Sequence, residues 1–136
     1  MIINARPPNF EQIKAAFPKA DGEGVIFAFD GNIYSPSGKE IPPALVAHEN
    51  VHLQRQEALG DPCYWWTWYI EDSEFRYVEE LLAHAAEFKH QKHSDRNASA
   101  RLLMATALRL VAPLYNYVPP VSLQEAMKDL RREISR

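Results

Sequence analysis

Ala44-Leu45-Val46-Ala47-His48-Glu49-Asn50-Val51-His52-Leu53-Gln54-Arg55-Gln56 decides how this chain is read. It holds His-Glu-x-x-His in a run of helical composition, so both imidazoles fall one turn apart on one face, at the spacing a single metal ion needs. At about 100° per residue His52 lies close to His48 around the helix axis, and Glu49 lies beside them, off the ligand face. The residue types suit zinc. Zn2+ accepts neutral imidazole readily, and a catalytic site stops at three protein ligands so that a fourth position holds water, whose pKa falls to about 7. Glu49 is then placed to take the proton without binding the metal itself.

The flanks agree with a helix. Ile41-Pro42-Pro43 puts proline near the first turn, where its missing N–H costs nothing, and the helix is expected to run to Leu59. Gly60 is placed to stop it in a left-handed cap, and Asp61-Pro62 forbids its continuation. Arg55, Gln56 and Leu59 fall near the histidine face, which makes Gln56 a candidate to hydrogen-bond a ligand; at such a position glutamine is more often only solvated.

A third ligand is expected on a second long helix running from roughly Ser73 to His90. Phe75, Val78, Leu81, Leu82, Ala85 and Phe88 form its apolar stripe, and Arg76, Glu80, His84 and Glu87 share one flank of it. Glu79 and Glu80 lie on opposite edges of that stripe, so helical geometry leaves both open as the ligand. His90 and His93 sit near a helix end and read as solvated.

Upstream, Asn9 is placed to cap a short helix through about Phe17, ended by Pro18, with Phe10, Ile13, Ala16 and Phe17 on one face. Val25-Ile26-Phe27-Ala28-Phe29 has the composition of a strand, and Asp30-Gly31 reads as a two-residue turn into Asn32-Ile33-Tyr34. Downstream of the motif, Tyr64-Trp65-Trp66-Thr67-Trp68-Tyr69-Ile70 is the densest aromatic cluster, suited to walling the back of the site and lowering its local dielectric. Ser94-Asp95-Arg96-Asn97 introduces a third long helix with Leu102, Leu103, Ala105, Leu108 and Val111 buried, terminated or kinked at Pro113. Ser122-Leu123-Gln124-Glu125 is a capping box for a closing helix through about Ile134.

At 136 residues the chain is expected to form one domain, residues 1–136, with room for a single core and a minimal site. Its 46% hydrophobic and 24% charged content are those of a globular protein, and a net charge of -3 gives no electrostatic case for nucleic acid. No stretch reads as a membrane span, and Met1 to Pro8 lacks the features of a secretory signal. The single cysteine, Cys63, excludes an internal disulfide and is expected to pack beside Tyr64 and Trp65. These elements predict a mostly α fold, of α+β type, with a small β-hairpin beside the motif helix.

On the second helix the chain reads Glu80-Leu81-Leu82-Ala83-His84, which resembles the Glu-x-x-Ala-Asp of gluzincins, zinc peptidases with two His and a Glu as ligands. That likeness implies His48, His52 and Glu80 as the metal set. It leaves His84, standing where Asp is usual, to orient a ligand or the water, or to bind the metal itself. The wider pattern adds Ile41-Pro42-Pro43, Trp65-Trp66, Tyr69-Ile70 and Phe75-Arg76 with Glu80 and Ala83. Over residues from about 25 to 127 it resembles the small metallopeptidases encoded by tailed bacteriophages and prophages.

The resemblance implies a minimal zincin-like domain that hydrolyses peptide bonds with Zn2+ as cofactor and Glu49 as base. Pro113-Leu114-Tyr115-Asn116-Tyr117 would bring Tyr115, or else Tyr117, to the oxyanion. It also implies that the hairpin's edge strand aligns a peptide by strand addition. The implied partner is a peptide or protein substrate, without nucleic acid or membrane, and the implied place is the cytoplasm of an infected bacterial host or the phage virion. Cleavage of a repressor-like regulator is an enzymatic alternative; a phage structural or assembly protein that keeps the fold without turnover is another. Peptide deformylases share His-Glu-x-x-His but carry a cysteine ligand upstream of it, and Cys63 lies downstream.

Overall fold

The hairpin forms where the strand-like residues flank Asp30-Gly31: β2 (Phe27–Phe29) and β3 (Asn32–Tyr34) pair antiparallel with Phe29 opposite Asn32. Asp30 and Gly31 have φ of 47° and 82°, the two positive values that a primed turn needs to match strand twist. A third strand, β1 (Ile2–Ile3), adds parallel to β3, so the sheet order is β1-β3-β2. Two residues carry too little pattern for a sequence to announce them.

The computed structural model describes residues 1–91 and 93–136. Six helices make up most of it: α1 (Phe10–Ala16), α2 (Pro43–Leu59), α3 (Pro62–Glu71), α4 (Ser73–His90), α5 (Arg96–Leu110) and α6 (Leu123–Ile134). Short 3₁₀ turns occupy Pro18–Asp21 and Pro113–Tyr115. The fold is therefore mostly helical with a small sheet, α+β, as the sequence predicts. Among the described residues no helix is long and apolar enough to cross a membrane.

Local chemistry sets the boundaries. Gly60 closes α2 at φ 88°, its N–H reaching the Gln56 and Glu57 carbonyls at 3.1 and 3.0 Å. Asp61 does more than stop that helix, because its carboxylate accepts from the Cys63 and Tyr64 N–H groups and so caps α3, with Pro62 as the first helical residue. Asp72, Asp95 and Ser122 cap α4, α5 and α6 in the same way. Asn9 does not cap α1: its backbone, at φ -99° and ψ 23°, is outside the extended conformation a capping side chain needs. Cys63, expected to pack, is exposed on the first turn of α3.

α4 is the central element, packed against α2, α3, α5 and α6. Its orientation differs from the apolar stripe predicted for it. Arg76, Glu79, Glu80, His84 and Glu87 are buried, whereas Val78 is 47% exposed. The buried face of α2 is likewise polar, consisting of His48, Glu49, His52 and Gln56. α5 is rotated from the expectation as well, burying Thr106, Ala107 and Leu110 and exposing Leu108. Burial follows the partners each face finds, and the polar faces of α2 and α4 find each other.

Apolar packing divides into two clusters. One joins α1, β2 and α3 through Phe10, Ile13, Phe17, Phe27, Trp65, Trp66 and Tyr69; the other joins α4, α5 and α6 through Ala85, Ala107 and Leu130. Gln56, buried rather than solvated, ties the hairpin to α2: its Nε2 donates to the Ala28 carbonyl at 2.9 Å and its Oε1 accepts from the Asp30 N–H at 3.1 Å. Trp66 Nε1 donates to the same Ala28 carbonyl at 3.0 Å.

Arg76 ties the end of α3 to the Pro113–Tyr115 turn. Its guanidinium donates to the carbonyls of Tyr69, Ile70, Tyr115 and Asn116 at 2.7–3.2 Å and lies over the Phe17 ring at 5.1 Å. Truncating this fork leaves several inward carbonyls unpaired at about 1–3 kcal/mol each, less whatever water recovers. Arg76→Met is therefore expected to lower unfolding free energy by roughly 2–4 kcal/mol in urea titration, and Arg76→Lys, with fewer donors, to recover only part of it.

Candidate metal centre

Two helices deliver the donors in matching pairs, each one turn apart: His48 and His52 on α2, Glu80 and His84 on α4. All four side chains are buried. The Glu80 carboxylate sits between the imidazoles of α2, with Oε1 3.2 Å from His48 Nε2 and Oε2 3.1 Å from His52 Nε2. His84 Nε2 lies 3.7 Å from Glu80 Oε1, and the His48 and His84 rings cross edge to face at 4.4 Å. The donor atoms of His48, Glu80 and His84 all lie within 4.8 Å of one another, a group that can in principle bind a metal ion; His52 contacts the other carboxylate oxygen outside that group.

Glu80, not Glu79, faces the histidines. Glu79 is also buried, but it points away, paired with Arg55 and accepting from Trp65 Nε1 at 2.5 Å. Glu80 is steadied by the Tyr69 hydroxyl, which donates to Oε2 at 2.7 Å. On the far side of His48, Nδ1 lies 3.1 Å from Glu87 Oε1, and Arg109 of α5 pairs with the other Glu87 oxygen. A carboxylate behind the imidazole fixes its tautomer with Nε2 free to bind, the arrangement that supports metal-ligating histidines.

Tyr69, Glu87 and Arg109 were not singled out as site residues by sequence. Glu87 shares the predicted flank with Glu80 and His84, so its place was visible and its inward direction was not. Tyr69 falls in the predicted aromatic wall, and its hydroxyl is the part that matters.

The electrostatics are set by burial and by the close pairing of Glu80 with the histidines. Burial pushes the Glu80 carboxyl up, but His52 and His48 outweigh it and hold the group well below the usual carboxylate range. Burial pulls His48 down, yet the adjacent Glu80 carboxylate, helped by Glu49, raises it overall. Burial, with the neighbouring His48 charge, keeps His84 well below the ordinary histidine value, hence neutral. Glu80 Oε1 is buried without an aligned donor, as are His52 Nδ1 and His84 Nδ1. A buried carboxylate oxygen without a donor, close to the nitrogens of His48 and His84, suits a cation chemically.

Glu49 and Tyr115 complete the surroundings. Both line a cavity of about 70 Å³, together with His48, His52 and Glu80, whose apolar wall includes Phe17, Val25, Ile26 and Leu114. Burial raises the Glu49 carboxyl above its usual value, with His48 and His52 opposing. The Tyr115 hydroxyl is 3.3 Å from His84 Nε2, and burial followed by the Glu80 charge raises it far above an ordinary phenol. Tyr117, the second candidate, donates its hydroxyl to the Leu110 carbonyl at 2.9 Å and caps the end of α5. His90 and His93 are exposed and outside this group.

Comparison of the chain with protein-family models, curated proteins and solved structures found no match.

The depressed Glu80 carboxyl makes a pH prediction for protein treated with a chelator. A folded-state value below the unfolded one contributes stability above about pH 4.5, which is lost as pH falls from there through the folded value. Urea midpoints measured between pH 7 and pH 3 are expected to fall in that acid window. The fall should be shallower in Glu80→Gln.

Proposed function

We propose that the chain is a zinc-dependent peptidase in which His48, His52 and Glu80 hold the metal and Glu49 moves the proton. The supporting observation is the convergence of two α2 imidazoles and one α4 carboxylate at 3.1–3.2 Å, with Glu49 on the adjoining cavity wall. The resemblance to gluzincins, and to the small phage-encoded metallopeptidases, points the same way.

Held by His48, His52 and Glu80, zinc would supply Lewis acidity to a peptide carbonyl and to an attacking water. Glu49, raised by burial, suits a base that accepts a proton from the attacking water and then gives it to the leaving amine nitrogen. Tyr115, a neutral phenol on the same cavity, suits donation to the developing oxyanion. Glu87 and Tyr69 hold His48 and Glu80 in orientation throughout. The apolar wall lowers the dielectric around the reacting groups.

One observation favours the alternative of a phage structural or assembly protein that keeps the metal without turnover. The outward carbonyl of the edge strand at Ala28 already accepts from Gln56 and Trp66, which removes an acceptor that strand addition of a peptide would use.

Metal analysis and Glu49→Gln separate these readings. The purified protein is expected to take up stoichiometric zinc, and His48→Ala, His52→Ala or Glu80→Ala to lose it. Glu49→Gln should keep the zinc while cleavage of a peptide library falls about 10²–10⁴-fold. Stoichiometric zinc with no cleavage of any peptide by the wild type would overturn the peptidase reading and leave the metal-holding alternative, and no zinc uptake would overturn both.

A further inference from the structure

We propose that His84 is a fourth protein donor for the metal, exchanging between the cation and Tyr115, so that the site closes and opens by the movement of one imidazole. The inference rests on the metal reading of this site but not on turnover.

Geometry carries it. Donor atoms about 2.0–2.1 Å from a tetrahedral zinc stand about 3.3–3.4 Å from one another. Around Glu80 the separations are 3.2 Å to His48 Nε2, 3.1 Å to His52 Nε2 and 3.7 Å to His84 Nε2. His48, Glu80 and His84 each offer a donor atom within 4.8 Å of the other two, and His52 meets the second oxygen of the same carboxylate.

His84 is also built like its neighbour His48. Both present Nε2 towards Glu80 Oε1, and both turn Nδ1 to Glu87 Oε1, at 3.1 Å for His48 and 3.3 Å for His84. Glu87 therefore stands behind two rings at once, as a supporting carboxylate does for metal-ligating histidines. The His84 side chain is 3% exposed, and its Nδ1 has no aligned partner, so the ring is not fully satisfied by packing. Its one aligned contact is Tyr115, through the same Nε2 that a metal would use.

Two arrangements follow. In the closed one His84 binds through Nε2 with its proton on Nδ1 towards Glu87, giving three imidazoles and one carboxylate and no room for water in a four-coordinate shell. In the open one the ring proton sits on Nε2 and is donated to the Tyr115 oxygen, which leaves the Tyr115 proton free to face the cavity. The ring is neutral in both, and opening moves one proton from Nδ1 to Nε2 through the adjacent carboxylate or solvent.

Cobalt provides the count. In the protein loaded with Co2+ alone, each coordinated imidazole gives one exchangeable, strongly shifted N–H proton resonance. Without substrate the closed arrangement is expected to prevail, so three such resonances are expected in the wild type and, with the open arrangement's phenol partner removed, in Tyr115→Phe; two are expected in His84→Gln with cobalt still stoichiometric. Two in the wild type would overturn the proposal while leaving the His48, His52 and Glu80 reading intact, and this spectrum decides even if His84→Gln fails to fold. Failure to bind cobalt or zinc stoichiometrically would overturn both.

Discussion

A carboxylate buried among three imidazoles is the contact on which the arrangement of this protein depends. Glu80 is drawn from α4 to His48 and His52 of α2, and the two helices meet through their polar faces. Desolvating a carboxylate costs several kcal/mol unless charge and hydrogen bonds replace the lost water. Here His48, His52 and the Tyr69 hydroxyl replace it. The same requirement sets the axial register of the helices, because a shift of one turn would separate Glu80 from both rings.

The rest of the polar interior follows from that pairing. Glu87 is buried behind His48 and needs a cation, which Arg109 supplies from the edge of α5. Glu79, on the other side of α4, needs donors and finds Arg55 and Trp65. Arg76 is satisfied by main-chain carbonyls at the end of α3 and in the Pro113–Tyr115 turn, where its charge also complements the helix dipole of α3. Such networks add little net stability over apolar packing, but a break in one is costly because it strands a buried group. They favour one packing arrangement of α4 against its neighbours, and that arrangement is the one that assembles the site.

Much of this was legible from particular residues. His-Glu-x-x-His fixed the face of α2, the Asp30-Gly31 turn fixed the hairpin, and Gly60 fixed the helix end. The Glu80-Leu81-Leu82-Ala83-His84 likeness chose Glu80 where helical spacing alone could not separate it from Glu79. The inward face of α4 was not legible, since hydrophobic periodicity assumes that apolar stripes turn inward, and here Arg76, Glu80, His84 and Glu87 do so while Val78 stays outside. Gln56 was misjudged for a related reason. A buried amide is identified by its partners, and the Ala28 carbonyl and Asp30 N–H lie far from it along the chain.

The small sheet has a further consequence. An open strand edge is a template on which other chains can grow, and a three-stranded sheet in so small a protein has two of them. β1 is only Ile2–Ile3, too short to seed a ladder, and at β2 the Ala28 carbonyl is plugged by one amide and one indole. Gln56 and Trp66 therefore occupy the outward acceptor that a second chain's strand would need on that edge.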